Sequence, residues 1–374
     1  MSHEEVVRYL QGGHGHALPQ ARERIEGYLD ELRTTQRYSF YRILKHPLYP
    51  ILRKVDRRAE GIEWVRRATG EGRVVYVSNH KSHLDYLIEP LLLEDNSVRP
   101  PIIAAGINMF GGPLGLLHKH VTGAIPIRRN TKDPAYLITL KAYVAEVLRR
   151  HDLFFYIEGG RSYSGEIKAA KTGLVQAILQ AGCPSISVVP TAIAYDLVLE
   201  DRILSHQGVK KVQRPFKREL GEMVRQAVGY WSRAFVTFGE PIPAAGYGQS
   251  RRAALDLAHT VREKFGRLYK VLPTALVAAA LRPSMTMGDL ESRMVDLLAL
   301  LDSRGANLLT TDPREAAQEG ARLLADRQVL LLEGDRVRVR DRITLRYYAR
   351  TISHLIAAAS PDPEPDRQAG PSDS

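Results

Sequence analysis

Short apolar runs alternate with longer amphipathic stretches through the middle of the chain. The runs that predict strands are Val74–Val77, Ile102–Ala105, Ala124–Ile127, Leu153–Ile157, Ile186–Ile193 and Ala234–Phe238. Helical spacing of apolar residues appears between them, over Leu137–Arg149 and Ala170–Leu179. Such alternation is typical of a largely parallel sheet covered by helices. The pattern therefore predicts an α/β domain, with a mostly parallel sheet flanked by helices, over residues 71–246.

The regions on either side of this domain follow other patterns. Apolar positions at helical spacing over Pro19–Arg33 predict a helical N-terminal segment within residues 1–70. After residue 246 the predicted elements are helices over Ala253–Leu268, Leu290–Leu301 and Arg314–Asp326, then a hairpin of Val329–Leu332 and Val337–Val339. This order predicts a small α+β, winged-helix-like module in residues 247–360, an outline that does not by itself imply DNA binding. The proline-containing residues 361–374 are expected to be disordered.

Composition limits the class of protein. With 374 residues, 44% hydrophobic and 25% charged, the chain is neither fibrous nor disordered as a whole. The single cysteine, Cys183, excludes a disulfide framework and a Cys-rich metal site. No basic and then apolar leader opens the chain, so we expect it to stay in the cytoplasm. The 53 Lys and Arg against 42 Asp and Glu give a net charge of +11, which favours an anionic partner without identifying it.

The distribution of charge is more informative than its sum. Residues 37–73 hold ten basic and four acidic side chains, residues 201–233 hold eight and three, and both stretches interleave cations with apolar residues. This mixture suits an anionic membrane surface, although each stretch taken alone is equally consistent with a solvated basic face. Residues 100–117 are uncharged, but prolines and glycines interrupt them and argue against a spanning helix. We therefore expect peripheral or monotopic attachment to the cytoplasmic face of the cell membrane.

A His-x4-Asp pattern directly follows the first predicted strand. His80 at the strand end and Asp85 five residues later fit a turn into a helix. In such a turn the carboxylate can accept from one imidazole nitrogen and leave the other as a base for an alcohol of the substrate. Alternatively, His80 and Asp85 only cap the next helix, or His80, His83 and Asp85 bind a metal, although no further ligand cluster is apparent.

Two later strands also end in charged residues. The strand ending at Ile127 is followed by Arg128 and Arg129, whose guanidinium groups can bind phosphate in bidentate fashion, or simply be solvated. The strand ending at Ile157 runs into the segment Glu158-Gly159-Gly160-Arg161-Ser162, with Lys168 shortly after it. Backbone N–H groups and cations at a glycine-rich turn can form an anion site.

Four segments of the chain resemble the four motifs of the glycerolipid acyltransferases and occur in the same order. They are His80/Asp85, Arg128/Arg129, Glu158/Gly159/Arg161/Ser162 and Val189/Pro190. In the detailed sequence of these motifs and the residues around them, the chain is most similar to one branch of that family. This branch contains the bacterial glycerol-3-phosphate 1-O-acyltransferases and the dihydroxyacetone-phosphate acyltransferases. The segments that carry this similarity are His80–Leu87, Ile103–Asn108, Glu158–Ser162, Lys171–Gly173 and, near the end, Tyr347–Arg350. The resemblance covers residues 70–245 well and the C-terminal part loosely.

The resemblance implies transfer of a fatty acyl group from acyl-CoA or acyl carrier protein to the sn-1 hydroxyl of glycerol-3-phosphate, the first step of phospholipid synthesis. His80, oriented by Asp85, would be the general base, and backbone amides near Gly159 could stabilise the oxyanion. The phosphate would be held by Arg128, Arg161 and Lys168, with Arg129, Glu158, Gly159 and Ser162 completing the acceptor site. No metal or bound cofactor is implied, since the donor is a co-substrate.

Two departures keep alternatives open. Tyr163 stands where that branch tends to have a basic residue, and the chain is much shorter than the long bacterial members. The acceptor could therefore be another one, such as 1-acylglycerol-3-phosphate (lysophosphatidic acid). The alternative from another class is a non-enzymatic basic protein that binds membrane or nucleic acid. The order and number of the motifs argue against it, and no nucleic-acid partner is expected.

Overall fold

A computed structural model of the chain describes residues 18–37, 55–107, 110, 119, 123–129, 131–183, 185–210 and 231–357. Residues 38–54 of the first basic stretch, residues 211–230 of the second, part of the uncharged segment 100–117 and the predicted tail 361–374 lie outside these residues. Within the described ranges, no helix is both long and apolar enough to cross a bilayer.

The main sheet, as far as the structure describes it, has eight strands. They are β1 (Val55–Glu60), β2 (Arg73–Ser78), β3 (Ile102–Gly106), β4 (Ala124–Ile127), β5 (Leu153–Tyr156), β6 (Ile186–Tyr195), β7 (Ser232–Phe238) and β8 (Ile242–Pro243). Their order is β1-β7-β6-β2-β5-β3-β4, with β8 paired to β6. All neighbours run parallel except β6–β7 and β6–β8. The predicted mostly parallel α/β sheet is therefore confirmed.

Helices cover both faces of this sheet. They are α1 (Leu18–Leu32), α2 (Ile62–Glu71), α3 (Asp85–Asp95), α4 (Pro134–Arg150), α5 (Gly173–Leu179), α6 (Asp201–Lys210) and α7 (Arg251–Leu268), and a short 3₁₀ turn spans Ala244–Gly246. Successive side chains of a strand point to opposite faces, so β2 contributes to two cores. Val74 and Tyr76 pack with residues of α2 and α3, whereas Val75 and Val77 pack with residues of α4, α5 and α7.

The sheet begins earlier in the chain than the boundary at residue 71 that the sequence suggests. Strand β1 pairs in parallel with β7 along the edge of the sheet, from Val55 opposite Ser232 to Glu60 opposite Thr237. Its sequence, VDRRAE, is polar, and only Val55 is fully buried. An edge strand needs few apolar residues, because it has a single neighbour and much of its surface faces water. This is why the apolar pattern did not reveal it.

The C-terminal module contains α8 (Pro273–Ala280), β9 (Ser284–Thr286), α9 (Met287–Ser303), α10 (Pro313–Asp326), β10 (Leu330–Glu333) and β11 (Arg336–Val339), followed by α11 (Arg342–Arg350) and α12 (Ser353–Ile356). Its antiparallel sheet has the order β10-β11-β9. The predicted winged-helix-like outline is therefore confirmed. Strand β9 was not predicted, because three residues are too few to show an apolar pattern.

One hydrophobic core joins this module to the main sheet. The same cluster of buried side chains contains Tyr76 and Phe154 of the main sheet and Leu290, Leu324 and Val337 of the module. The module also contacts the loop after β5, where Gly165 lies against the backbone of Tyr347 in α11. A Cβ atom on Gly165 would be 2.0 Å from the carbonyl oxygen of Tyr347. Only glycine allows this approach, and Gly165 also has a φ of +90°. The two parts thus share their interior.

Candidate active site

The His-x4-Asp segment lies at the carboxyl end of β2, where ligands commonly bind in open α/β sheets. The Nδ1 atom of His80 and the Oδ2 atom of Asp85 are 2.8 Å apart, and both side chains are buried. A carboxylate can only accept, so Nδ1 carries the proton of the neutral imidazole. The other ring nitrogen, Nε2, is then an acceptor, and His80 lines a cavity at this edge of the sheet.

The Asp85 carboxylate is fixed by four donors. It is the first residue of α3, and its Oδ2 atom also accepts from the backbone N–H groups of Lys81 (2.7 Å) and Ser82 (2.9 Å). Its Oδ1 atom accepts from the hydroxyl of Tyr195, at the end of β6, at 2.6 Å. Asp85 thus both closes the turn and orients the imidazole. It accepts from N–H groups that precede α3, so it forms the His80–Asp85 dyad rather than a cap on the helix.

Burial is the main electrostatic influence on the imidazole. It lowers the pKa of His80 below 6.5, while the hydrogen bond to Asp85 raises that pKa and the positive charge of Arg161 lowers it further. His80 is therefore neutral at neutral pH, the state that a general base requires. Burial also raises the pKa of Glu89, which lies behind the site and accepts from Ser78 and Tyr156.

The turn after β5 packs directly against the dyad. One oxygen of Glu158 accepts from the backbone N–H of His80 (3.4 Å) and the other from that of Lys168 (3.3 Å). The Ser162 N–H donates to the His80 carbonyl (3.1 Å), and its hydroxyl donates to the Glu166 carbonyl (2.6 Å). Glu158 and Ser162 therefore bind protein groups that shape the turn. Burial raises the pKa of Glu158.

The glycine and the cations of this turn have different surroundings. Gly159 has a φ of +65°, and its N–H donates to the Tyr156 carbonyl at 3.0 Å, so this amide already has an acceptor. The Nζ atom of Lys168 donates to the carbonyls of Gly160 (3.2 Å) and Arg161 (3.4 Å), and burial lowers the pKa of Lys168. Arg161 is buried, with its Nη1 atom 3.5 Å from Glu200.

The two arginines after β4 diverge. The guanidinium of Arg128 donates to both carboxylate oxygens of Glu31 on α1, at 2.7 and 2.5 Å, and lies over the ring of Tyr136. Arg129 instead extends toward the turn after β5, where its Nη1 atom would be 3.6 Å from a Cβ on Gly160. The structure therefore brings Arg129 to the same turn as Arg161 and Lys168, and ties Arg128 to the N-terminal helix.

A cavity of about 340 Å³ opens between the ends of β3, β4 and β5 and the helices α4 and α5. Its wall is largely apolar and includes Ile103, Ile127, Leu137, Leu140, Phe155 and Leu174, while its polar part includes His80, His83, Arg128, Arg129, Lys141 and Lys171. The cavity thus combines an apolar interior with a cationic region next to the His80 imidazole. In the described part of the chain, no group of three or more His, Cys, Asp or Glu residues could hold a metal ion.

Sequence reasoning missed three residues that surround the dyad. Tyr195 bonds to Asp85, Tyr156 packs against His80, and Glu200 bonds to the turn between His80 and Asp85. Tyr195 and Glu200 are more than a hundred residues from that turn in the chain, so no local spacing could reveal their contacts. Tyr195 ends an apolar strand, a position that offered a weak signal.

Comparison with known proteins places this architecture in a class. Residues 56–194 match the family model described as Acyltransferase. This match confirms the resemblance to glycerolipid acyltransferases that the four motifs indicated. The chain is 29% identical to the glycerol-3-phosphate acyltransferase of Aeromonas hydrophila over an alignment that covers 92% of this chain and 47% of the relative.

Other relatives carry the same name. The glycerol-3-phosphate acyltransferase of Actinobacillus succinogenes is 28% identical over 96% of this chain and 49% of the relative. That of Histophilus somni is 33% identical over 61% of this chain and 29% of the relative. The chain thus spans about half the length, or less, of these relatives. A solved structure, the 1-acyl-sn-glycerophosphate acyltransferase PlsC of Thermotoga maritima, matches with a TM-score of 0.36 and 17% identity over 56% of this chain and 70% of that one.

Proposed function

We propose that the protein transfers a fatty acyl group from a thioester, acyl-CoA or acyl carrier protein, to the sn-1 hydroxyl of glycerol-3-phosphate. The observation that carries the proposal is the 2.8 Å contact between His80 Nδ1 and Asp85 Oδ2 at the wall of a largely apolar cavity. The name shared by the relatives supports glycerol-3-phosphate as the acceptor.

In this mechanism His80 acts as a general base. Its Nε2 atom takes the proton of the acceptor hydroxyl as the oxygen attacks the thioester carbonyl. The tetrahedral intermediate then collapses, the C–S bond breaks, and the thiolate takes the proton back from the imidazolium. The ester and the free thiol are the products. Asp85 keeps the proton of the neutral ring on Nδ1 and stabilises the imidazolium that forms transiently.

The cavity offers separate environments for the two substrates. Its apolar wall, which includes Leu137, Leu140 and Phe155, suits the acyl chain, since each buried methylene contributes about 0.8 kcal/mol. The cations at its other side suit the phosphate of the acceptor. Arg129 lines the cavity beside the turn after β5, Arg128 reaches the cavity from its pairing with Glu31, and Arg161 belongs to that turn.

The acceptor is tested by a radiolabelled acyl-transfer assay that offers glycerol-3-phosphate, dihydroxyacetone phosphate and lysophosphatidic acid in parallel, with palmitoyl-CoA and palmitoyl-acyl carrier protein as donors. We expect labelled lysophosphatidic acid from glycerol-3-phosphate. Product only from lysophosphatidic acid would assign the alternative acceptor. No product from any acceptor, with labelled nucleic acid retained by the protein, would favour the non-enzymatic alternative.

We also propose that the protein works at the cytoplasmic face of the membrane, because its product is a lipid and its donor carries a long chain. Each basic residue near an anionic surface contributes roughly 1 kcal/mol. The protein should therefore sediment with anionic vesicles of phosphatidylglycerol and phosphatidylcholine and weakly with pure phosphatidylcholine, and high salt should release part of it. Equal binding to both vesicles, unchanged by salt, would contradict the electrostatic part of this proposal.

A further inference from the structure

A buried carboxylate, Glu200, lies behind the turn that carries His80. It belongs to the segment between β6 and α6 and is 1% exposed. Its Oε2 atom accepts from the Ser82 hydroxyl at 2.8 Å, and its Oε1 atom accepts from the His83 N–H at 2.5 Å. The same Oε1 atom is 3.5 Å from Nη1 of Arg161. One side chain thus contacts both the dyad turn and a cation of the acceptor site.

We infer that Glu200 is a positioning residue of this active site, which holds the His80–Asp85 turn and the Arg161 guanidinium at a fixed separation. The inference rests on the proposed function, because it concerns the base and the phosphate ligand of that reaction. Glu200 itself touches neither of the reacting atoms. It acts through Ser82 and His83 on one side and through Arg161 on the other.

The charge of Glu200 suits this role. Arg161 is 8% exposed, and a buried guanidinium needs an anionic partner to compensate its lost hydration. The Ser82 hydroxyl and the His83 N–H are both donors, so the group facing them must accept twice. A carboxylate satisfies all three contacts. A glutamine of the same size would turn its NH₂ group toward one of the donors and would remove the negative charge from Arg161.

The backbone at Glu200 is itself fixed from the other side. The next residue, Asp201, accepts from the Arg327 guanidinium, at 2.7 Å from Nη2 and 3.0 Å from Nε, and from the Tyr348 hydroxyl at 2.7 Å. Both partners belong to the C-terminal module. Glu200 and Asp201 together therefore connect the catalytic turn to that module, and the connection limits how far the turn can move. Such preorganisation matters because a misplacement of about 1 Å can reduce a rate roughly 10²-fold.

The test compares Glu200→Gln and Glu200→Asp with a matched control, Asp196→Asn. Asp196 is another buried carboxylate of the same segment, but it accepts from Ser232 and from the backbone and side chain of Arg233. Each variant is assayed for kcat and for KM of both substrates. Amide hydrogen exchange over residues 81–84 and the unfolding midpoint are measured in the absence of substrate.

For Glu200→Gln we expect kcat/KM for glycerol-3-phosphate to fall roughly 10²-fold, with a lower kcat, a higher acceptor KM and an unchanged donor KM. Exchange of the amides at 81–84 should accelerate. Glu200→Asp, which keeps the charge on a shorter stem, should lose less. Asp196→Asn should unfold at least as easily as Glu200→Gln but keep kcat/KM within about threefold of the wild type, since it leaves the dyad turn in place.

Either of two kinetic results would overturn the inference: wild-type kcat and KM in Glu200→Gln, or equal losses of kcat/KM in Glu200→Gln and Asp196→Asn at equal stability. Failure of the proposed function looks different, because the wild type itself would then transfer no acyl group to any acceptor. In that case the exchange measurement still decides whether Glu200 holds the turn. Wild-type protection of 81–84 in Glu200→Gln would exclude it.

Discussion

The phenol ring of Tyr156 lies parallel to the His80 imidazole, with ring centroids 4.0 Å apart and planes inclined by 10°. The Tyr156 hydroxyl donates to Glu89 at 3.0 Å, so the phenol is held from the far side. Asp85 fixes the edge of the imidazole and Tyr156 covers its face. Together they restrict ring rotation, which would otherwise move Nε2 away from the cavity.

Replacing His80 with alanine should remove most acyl transfer while the protein stays folded. Loss of a positioned general base typically costs about 10²–10⁴-fold in rate. The measurement is kcat with glycerol-3-phosphate, alongside circular dichroism. The matched control is His259→Ala on the exposed face of α7, which should keep its activity. Near-normal turnover in His80→Ala would end the proposed mechanism.

The pH dependence of kcat/KM should have an acidic limb with its midpoint below 6.5. Burial lowers the pKa of His80, and the base works only when neutral, so the rate falls as the pH drops through that lowered value. Asp85→Asn removes the influence that raises the pKa of His80, so its midpoint should lie lower still, at a much reduced maximum rate. An acidic limb with its midpoint above pH 7, unchanged in Asp85→Asn, would assign the titration to another group.

Alanine substitutions of the arginines should mainly raise KM for the phosphorylated acceptor. A charge-assisted hydrogen bond contributes about 1.5–3 kcal/mol, equivalent to roughly 10–100-fold in KM. We expect Arg129→Ala and Arg161→Ala to show the larger effects. Arg128→Ala should have a smaller one, because its guanidinium donates to both oxygens of Glu31 at 2.7 and 2.5 Å, whereas that of Arg161 lies 3.5 Å from Glu200. Arg252→Ala, on exposed α7, serves as the control. A change confined to the donor KM would refute the phosphate assignment.

Gly165→Ala should destabilise the protein more than Gly182→Ala. Both glycines have positive φ angles, +90° and +66°, but only Gly165 faces an obstacle, the Tyr347 carbonyl oxygen. Gly182→Ala should cost about 1–2 kcal/mol for the backbone conformation alone, and Gly165→Ala about 1–3 kcal/mol more for the overlap. Urea unfolding of both variants provides the measurement. Equal losses would mean that the loop can withdraw from α11 at no cost.

Much of the fold could be predicted because the strands are buried on both faces. A strand covered by helices on both sides is apolar throughout, and the six apolar runs of the sequence all correspond to strands of the sheet. The edge strand β1 lacks that signal, since only Val55 is fully buried. The three-residue β9 is defined by its pairing with β11, which no local pattern encodes.

The candidate site was predictable only in its local parts. The spacing of His80 and Asp85 within one turn sufficed to suggest their contact, because both residues belong to the same short segment. The pairing of Arg128 with Glu31 joins residues 97 positions apart, and it redirects a guanidinium that the sequence assigned to phosphate. Likewise, Glu200 meets Ser82 only because β6 lies next to β2 in the sheet. Such contacts depend on the strand order, which the sequence pattern did not specify.

The core shared by the main sheet and the C-terminal module has a thermodynamic consequence. A buried cluster that contains both Tyr76 and Leu324 cannot open on one side without exposing apolar surface on the other. The two parts should therefore melt in a single cooperative transition, and a chain cut near residue 247 should yield no stable fragment. Any substitution that loosens the module, however far from His80, then lowers activity through the population of folded enzyme rather than through its chemistry.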